Sequence, residues 1–193
     1  MNLGSRVPAL LRTHPAIRAV ELSGSRARGT AHALSDWDFV VATDDYPRLR
    51  TELPELVAPL DPLSHIWDPY STIGCFMLIL RGPTKVDLLF TDEPREWSGA
   101  WEVTADTLMD VDAHFWDWIL WLEQKRRGGD RTLLRNGLDD LHRLLLAPLG
   151  AEREPSSVGE ALELYLAARD RREHAFGVRV PRALEAEVRP VLG

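Results

Sequence analysis

A single cysteine, Cys75, stands in a chain of 193 residues. No intramolecular disulfide can form, and a metal site built on a Cys-x-x-Cys pair is excluded. Long apolar runs are lacking as well. The longest uncharged stretch, from about Pro69 to Leu80, is far shorter than the roughly 20 apolar residues a membrane helix needs. Positive charge is in deficit, with 23 Lys and Arg against 30 Asp and Glu and a formal charge of -7. Proteins that coat nucleic acid need clustered excess Lys and Arg, so nucleic acid is not an expected partner and small molecules or another protein are favoured. The segment Met1 to Leu11 has no sustained apolar core followed by a small-residue cleavage site, so no signal peptide is expected. With the lone thiol, this points to a cytoplasmic protein without a membrane partner.

What remains is an ordinary globular composition, 45% hydrophobic, with two textures along the chain. Up to about residue 104 the pattern is α/β. Helical composition at Pro8 to Thr13 precedes an alternating run, Ile17 to Leu22, that Gly24 interrupts. Trp37 to Val41 reads as a second strand, Tyr46 to Val57 as a helix and Leu63 to Trp67 as a short strand. Cys75 to Leu80 and Val86 to Phe90 are strand-like on either side of the turn signal Arg81-Gly82-Pro83-Thr84, which predicts an antiparallel hairpin. From residue 105 the spacing predicts helices at Val111 to Arg127, Arg131 to Leu146, Val158 to Arg172 and Pro181 to Val188. Asp130 is placed to cap the second of these, and Ser157 to Glu160 fits a capping box. The expected organisation is an α/β domain over residues 1–104 and a helical bundle over 105–193, with a groove between them.

Chemistry concentrates in Gly24-Ser25-Arg26-Ala27-Arg28-Gly29-Thr30 and Ser35-Asp36-Trp37-Asp38-Phe39. Side chains two apart on a strand share a face, so Asp36 and Asp38 present adjacent carboxylates while Trp37 and Phe39 enter the packed layer. Adjacent carboxylates repel unless a cation lies between them. Mg²⁺ takes oxygen ligands and commonly bridges one or two carboxylates to phosphate oxygens. Gly24 lets the backbone approach a phosphate, Ser25 offers a hydroxyl and an amide, and Arg28, favoured over Arg26, can neutralise triphosphate charge. Asp87, between Val86 and Leu88 in an apolar strand, supplies a third acid. In a two-metal arrangement, ions roughly 3.5–4 Å apart stabilise both oxygens of an in-line displacement.

This ordered set of Gly24-Ser25, Asp36-x-Asp38 and Asp87 resembles the DNA polymerase beta-like nucleotidyltransferase superfamily over roughly residues 15 to 91. GSRARGT followed by SDWDF is similar to the small-molecule branch that contains the aminoglycoside (kanamycin) nucleotidyltransferase-like enzymes, with Arg28 before the second glycine. The resemblance implies a nucleotidyltransferase fold with a short mixed sheet, two Mg²⁺ ions on Asp36, Asp38 and Asp87, and an NTP, ATP by preference, as co-substrate. It further implies NMP transfer to a hydroxyl of a small acceptor, an antibiotic being one candidate. A protein acceptor, as in toxin-antitoxin AMPylating enzymes, and a non-catalytic nucleotide-binding scaffold are the alternatives.

In the helical half, His114, Asp117, Trp121 and Lys125 follow steps of three, four and four on an otherwise apolar helix. Facing a cleft, Lys125 would reach the triphosphate, Trp121 would stack on a ring, and Asp117 would contact the acceptor; either Asp87 or Asp117 would be the general base. The same stripe suits a satisfied hydrogen-bond cluster at a domain seam. Trp67, Trp97 and Trp101 are aromatics that could line an acceptor pocket or simply complete the core, and they receive no role. Cys75 is expected to be an inert buried thiol.

Overall fold

The computed structural model describes residues 2–96 and 99–192, and the chain divides into two compact units, residues 1–98 and 99–193. Trp97 lies outside the described residues. The first unit is α/β: helix α1 (Leu3–Leu11), β1 (Ile17–Leu22), the single turn α2 (Gly24–Ala27), β2 (Trp37–Thr43), α3 (Tyr46–Val57), β3 (Ser64–Trp67), β4 (Ile73–Leu80) and β5 (Thr84–Pro94). The sheet order is β1-β2-β5-β4-β3. All neighbours run antiparallel except β2 and β5, which are parallel. The sheet is therefore mixed.

Pleating sorts the side chains of the two central strands. Phe39, Val41, Val86, Leu88 and Phe90 belong to the core with Phe76 and Leu78 of β4, and Val7, Leu11, Leu49, Leu53 and Val57 of α1 and α3 complete it. Successive strand residues point to opposite faces. Asp38 and Asp87 alternate with Phe39 and Leu88 and so lie on the other face. The hairpin expected around Arg81 to Thr84 is present, with Leu80 opposite Thr84, and β1 and α3 span the residues their patterns predicted. The apolar spacing of α3 places Leu49, Leu53 and Val57 on one stripe, and Asp45 caps it by accepting from Arg48 N at 3.1 Å.

The second unit is helical: α4 (Leu108–Arg127), α5 (Arg131–Leu141), a π-helical segment His142–Leu146 running into α6 (Ala147–Leu149), α7 (Val158–Phe176) and α8 (Ala183–Val188). Asp130 caps α5 by accepting from Leu133 N at 3.0 Å. Of the predicted capping box only half forms as written. Ser157 accepts from Glu160 N, whereas the Glu160 carboxylate accepts from the amide and hydroxyl of Ser156. The continuous helix expected over Arg131 to Leu146 changes hydrogen-bond step at His142, and Leu144 O accepts Trp101 N at 2.9 Å. Buried Asp112 of α4 accepts from Trp116 Nε1 at 3.1 Å and from the Tyr165 hydroxyl of α7. Desolvation lifts the Asp112 carboxyl to about 6 despite those donors. No helix among the described residues is long and apolar enough to cross a membrane.

Candidate active site

The parallel register sets Asp38 directly beside Asp87, with Trp37 opposite Val86 and Phe39 opposite Leu88. Asp36, one residue ahead of β2, joins them. One carboxylate oxygen from each of Asp36, Asp38 and Asp87 lies within 4.8 Å of the others, and all three residues are half-buried. Behind them the chain turns through Gly24, whose φ of +64° falls in the left-handed region. A Cβ at this position would stand 1.8 Å from Asp38 Oδ2. Only glycine satisfies both the backbone angle and that approach. Ser23 N donates to Asp38 O at 2.8 Å, and Thr30 N to Ser25 O at 2.9 Å, so the turn is tied at both ends. The missing Cβ at Gly24 makes room for the Asp38 carboxylate, and the all-oxygen donor set of the three acids fits a hard divalent ion such as Mg²⁺.

Residues 6–65 match the family described as polymerase beta, nucleotidyltransferase. That stretch holds Gly24, Ser25, Asp36 and Asp38. Over those residues the chain is similar to a polymerase beta nucleotidyltransferase domain. Asp87 lies beyond the matched residues and enters the acid cluster through its pairing with β2. Among solved structures, an aminoglycoside 6-adenyltransferase from Bacillus subtilis aligns over 96% of this chain and 94% of its own, at 10% identity and a TM-score of 0.40. The polymerase core of TRAMP, an RNA surveillance complex, aligns over 84% of this chain and 55% of its own, at 12% identity and a TM-score of 0.41. Comparison with curated proteins finds no match.

Within the α/β unit the two arginines of the Gly24 turn have separate fates. Arg26 is committed to the protein: its guanidinium donates to Ser35 O at 2.6 Å and Asp36 O at 3.0 Å and stacks 4.1 Å from the Trp37 ring centroid. It braces the backbone that carries Asp36. Arg28 ends the turn and is exposed. Ser25 is half-buried at the start of the same turn.

Lys85 is the polar residue of this face that sequence reasoning passed over. It is 5% exposed, and its ammonium lies 3.9 Å from Asp36 Oδ2. The strand begins at Thr84 rather than at the expected Val86, which puts Lys85 two residues from Asp87 and on the same face. Asp68, just after β3, also feels the Lys85 charge. Desolvation nevertheless holds the Asp68 carboxyl above the usual range, against its bond from Tyr70 N at 2.8 Å.

The predicted stripe of the helical unit divides in two. His114 and Asp117 are buried, and His114 Nδ1 accepts Trp101 Nε1 at 2.9 Å and stacks on Trp118. Trp121 and Lys125 are half-buried; the Lys125 ammonium stands 4.9 Å from the Trp121 ring centroid, and the Trp121 ring borders Gly137 of α5. Trp67 packs among Tyr46, Phe76 and Phe90 in the first unit. Cys75 is buried and forms no disulfide.

Proposed function

We propose that the protein transfers a nucleoside monophosphate from an NTP, ATP by preference, to a hydroxyl of a small-molecule acceptor. The observation that carries this reading is the convergence of Asp36, Asp38 and Asp87 oxygens within 4.8 Å beside a turn that only glycine can make there. The acidic balance of the chain, -7, favours a small acceptor over a polyanion.

Asp36 and Asp38 would hold Mg²⁺ with Asp87, and the ion, when bound, would neutralise charge on the phosphates of the nucleotide. Ser25 offers its hydroxyl and amide to a phosphate oxygen, and the exposed Arg28 guanidinium supplies positive charge beside it. Arg26 fixes the Asp36 backbone and leaves phosphate contact to Arg28. In the reaction the acceptor oxygen bonds to the α-phosphorus, the bond from that phosphorus to the β-phosphate oxygen breaks, and pyrophosphate departs. The hydroxyl proton passes to the Asp87 carboxylate. The chain contributes positioning and fixed charge more than covalent chemistry.

The test is calorimetric titration of ATP, GTP, CTP and UTP with and without Mg²⁺, repeated with the double variant Asp36→Asn, Asp38→Asn. Mg²⁺-dependent binding that disappears in the double variant is the expected result. Equal NTP binding by the folded wild type and double variant would overturn the assignment.

A further inference from the structure

Lys85 occupies the acid face of β5 without any of the roles assigned above. Of the 23 lysines and arginines in the chain only two are lysines, Lys85 and Lys125. One of these is 5% exposed, with its ammonium 3.9 Å from Asp36 Oδ2, whose side chain is 11% exposed. Its charge reaches Asp68 too. Burying an ammonium is unfavourable unless opposite charge offsets the lost hydration. Here part of that offset comes from Asp36, one of the carboxylates that would receive Mg²⁺.

The competition this sets up is electrostatic. Ionised, the three acids bring three negative charges within 4.8 Å, and a nearby fixed cation removes part of the repulsion that a metal would otherwise relieve. We propose that Lys85 is a positioning residue that serves as the resident counter-cation of the acid cluster. It holds Asp36 in place in the metal-free protein and competes with a bare divalent ion for the same carboxylates. The triphosphate reverses the balance, because a metal-nucleotide complex carries net negative charge that Lys85 attracts rather than repels. The cluster therefore receives the ion together with its nucleotide. A lysine suits this task better than an arginine: a compact point charge on a flexible stem can shift as the ion enters, whereas a planar fork locks to its carboxylate. The inference rests on the metal-site reading of the three acids.

The test titrates Mn²⁺, as a paramagnetic probe, into nucleotide-free wild type and Lys85→Met, and records melting temperatures with and without MgCl₂. Lys85→Met should bind bare Mn²⁺ about tenfold tighter, since removing a cation a few ångströms from the ligands deepens their potential. It should melt lower than wild type without metal and gain more from MgCl₂. A purely structural lysine would lower both melting points alike; equal Mn²⁺ affinities, or equal gains from MgCl₂, overturn the proposal. Should Lys85→Met fail to fold, Lys85→Arg decides: keeping the charge on a fork that locks to the carboxylate, it should bind bare Mn²⁺ more weakly than wild type, and equal or tighter binding would refute the counter-cation role. Mn²⁺ binding absent from wild type and Lys85→Met even with a non-hydrolysable ATP analogue would instead remove the metal-site reading, and this inference with it.

Discussion

A methyl group at Gly24 would lie 1.8 Å from Asp38 Oδ2 on a backbone whose φ is +64°. Gly24→Ala should therefore cost roughly 1–2 kcal/mol through the left-handed backbone alone, and moving Asp38 should abolish transfer while the protein still folds. Retained nucleotide transfer by Gly24→Ala would show that Asp38 need not stay where it is. The arginines of the same turn separate by assay. Arg26→Ala removes hydrogen bonds from a charged donor to Ser35 and Asp36, each worth roughly 1.5–3 kcal/mol, so urea unfolding should register the loss. Arg28→Ala, at an exposed position, should alter stability by less than about 0.5 kcal/mol and raise the KM for the NTP instead. Steady-state kinetics with both variants would reveal an exchange of these roles.

Buried ionisable groups in the helical elements carry a second consequence. The Asp112 carboxyl is raised to about 6 by desolvation against an unfolded value near 3.9. The folded state then holds its proton more tightly, so the Asp112 contribution favours folding below about pH 4, declines as pH rises through this window, and is lost above about 6. A difference of that size between the folded and unfolded carboxyl corresponds to on the order of 3 kcal/mol. Asp112→Asn keeps an oxygen to accept Trp116 and Tyr165 while removing the titration, so its stability relative to wild type should rise between pH 4 and 7. Parallel urea profiles for the two proteins across that range would refute this. Element boundaries show what pattern alone conveys. In β1 and α3 the apolar spacing and the punctuation by Gly24 and Asp45 agree, and the strand and helix fall where expected. The Gly24 turn reads as a simple reversal in sequence because four residues are too few for a helical period, yet it closes as one turn of helix. The π segment at His142–Leu146 was illegible, since a run of leucines satisfies either helical step and the choice falls to a tertiary bond, Trp101 N to Leu144 O. The acids were legible because a carboxylate in an apolar strand is conspicuous. Lys85 was not, because at a strand's first residues a lysine usually marks the edge of a turn.

For the molecule as a whole, net charge sets an expectation about nucleic acid. At -7 the chain should bind an RNA oligonucleotide no better than about 100 μM at physiological salt, and tight RNA retention in a mobility-shift assay would reopen the choice of acceptor. A nucleotide bound only by the native state stabilises it in proportion to the logarithm of its concentration. At a hundredfold excess over Kd the gain is about 2.7 kcal/mol, which for a chain of this size is a melting shift of roughly 5–10 °C. That shift should need Mg²⁺ and vanish in Asp38→Asn.

The one parallel pairing of the sheet also orders events in time. Asp38 and Asp87 are separated along the chain by α3, β3 and β4 although their strands are adjacent, and contacts so distant in sequence bear a loop-closure cost before they form. During synthesis the residues that make the Gly24 turn leave the ribosome long before their third carboxylate does. A chain that ends before β5 thus has no complete acid cluster, and the site becomes a report that β2 and β5 have paired.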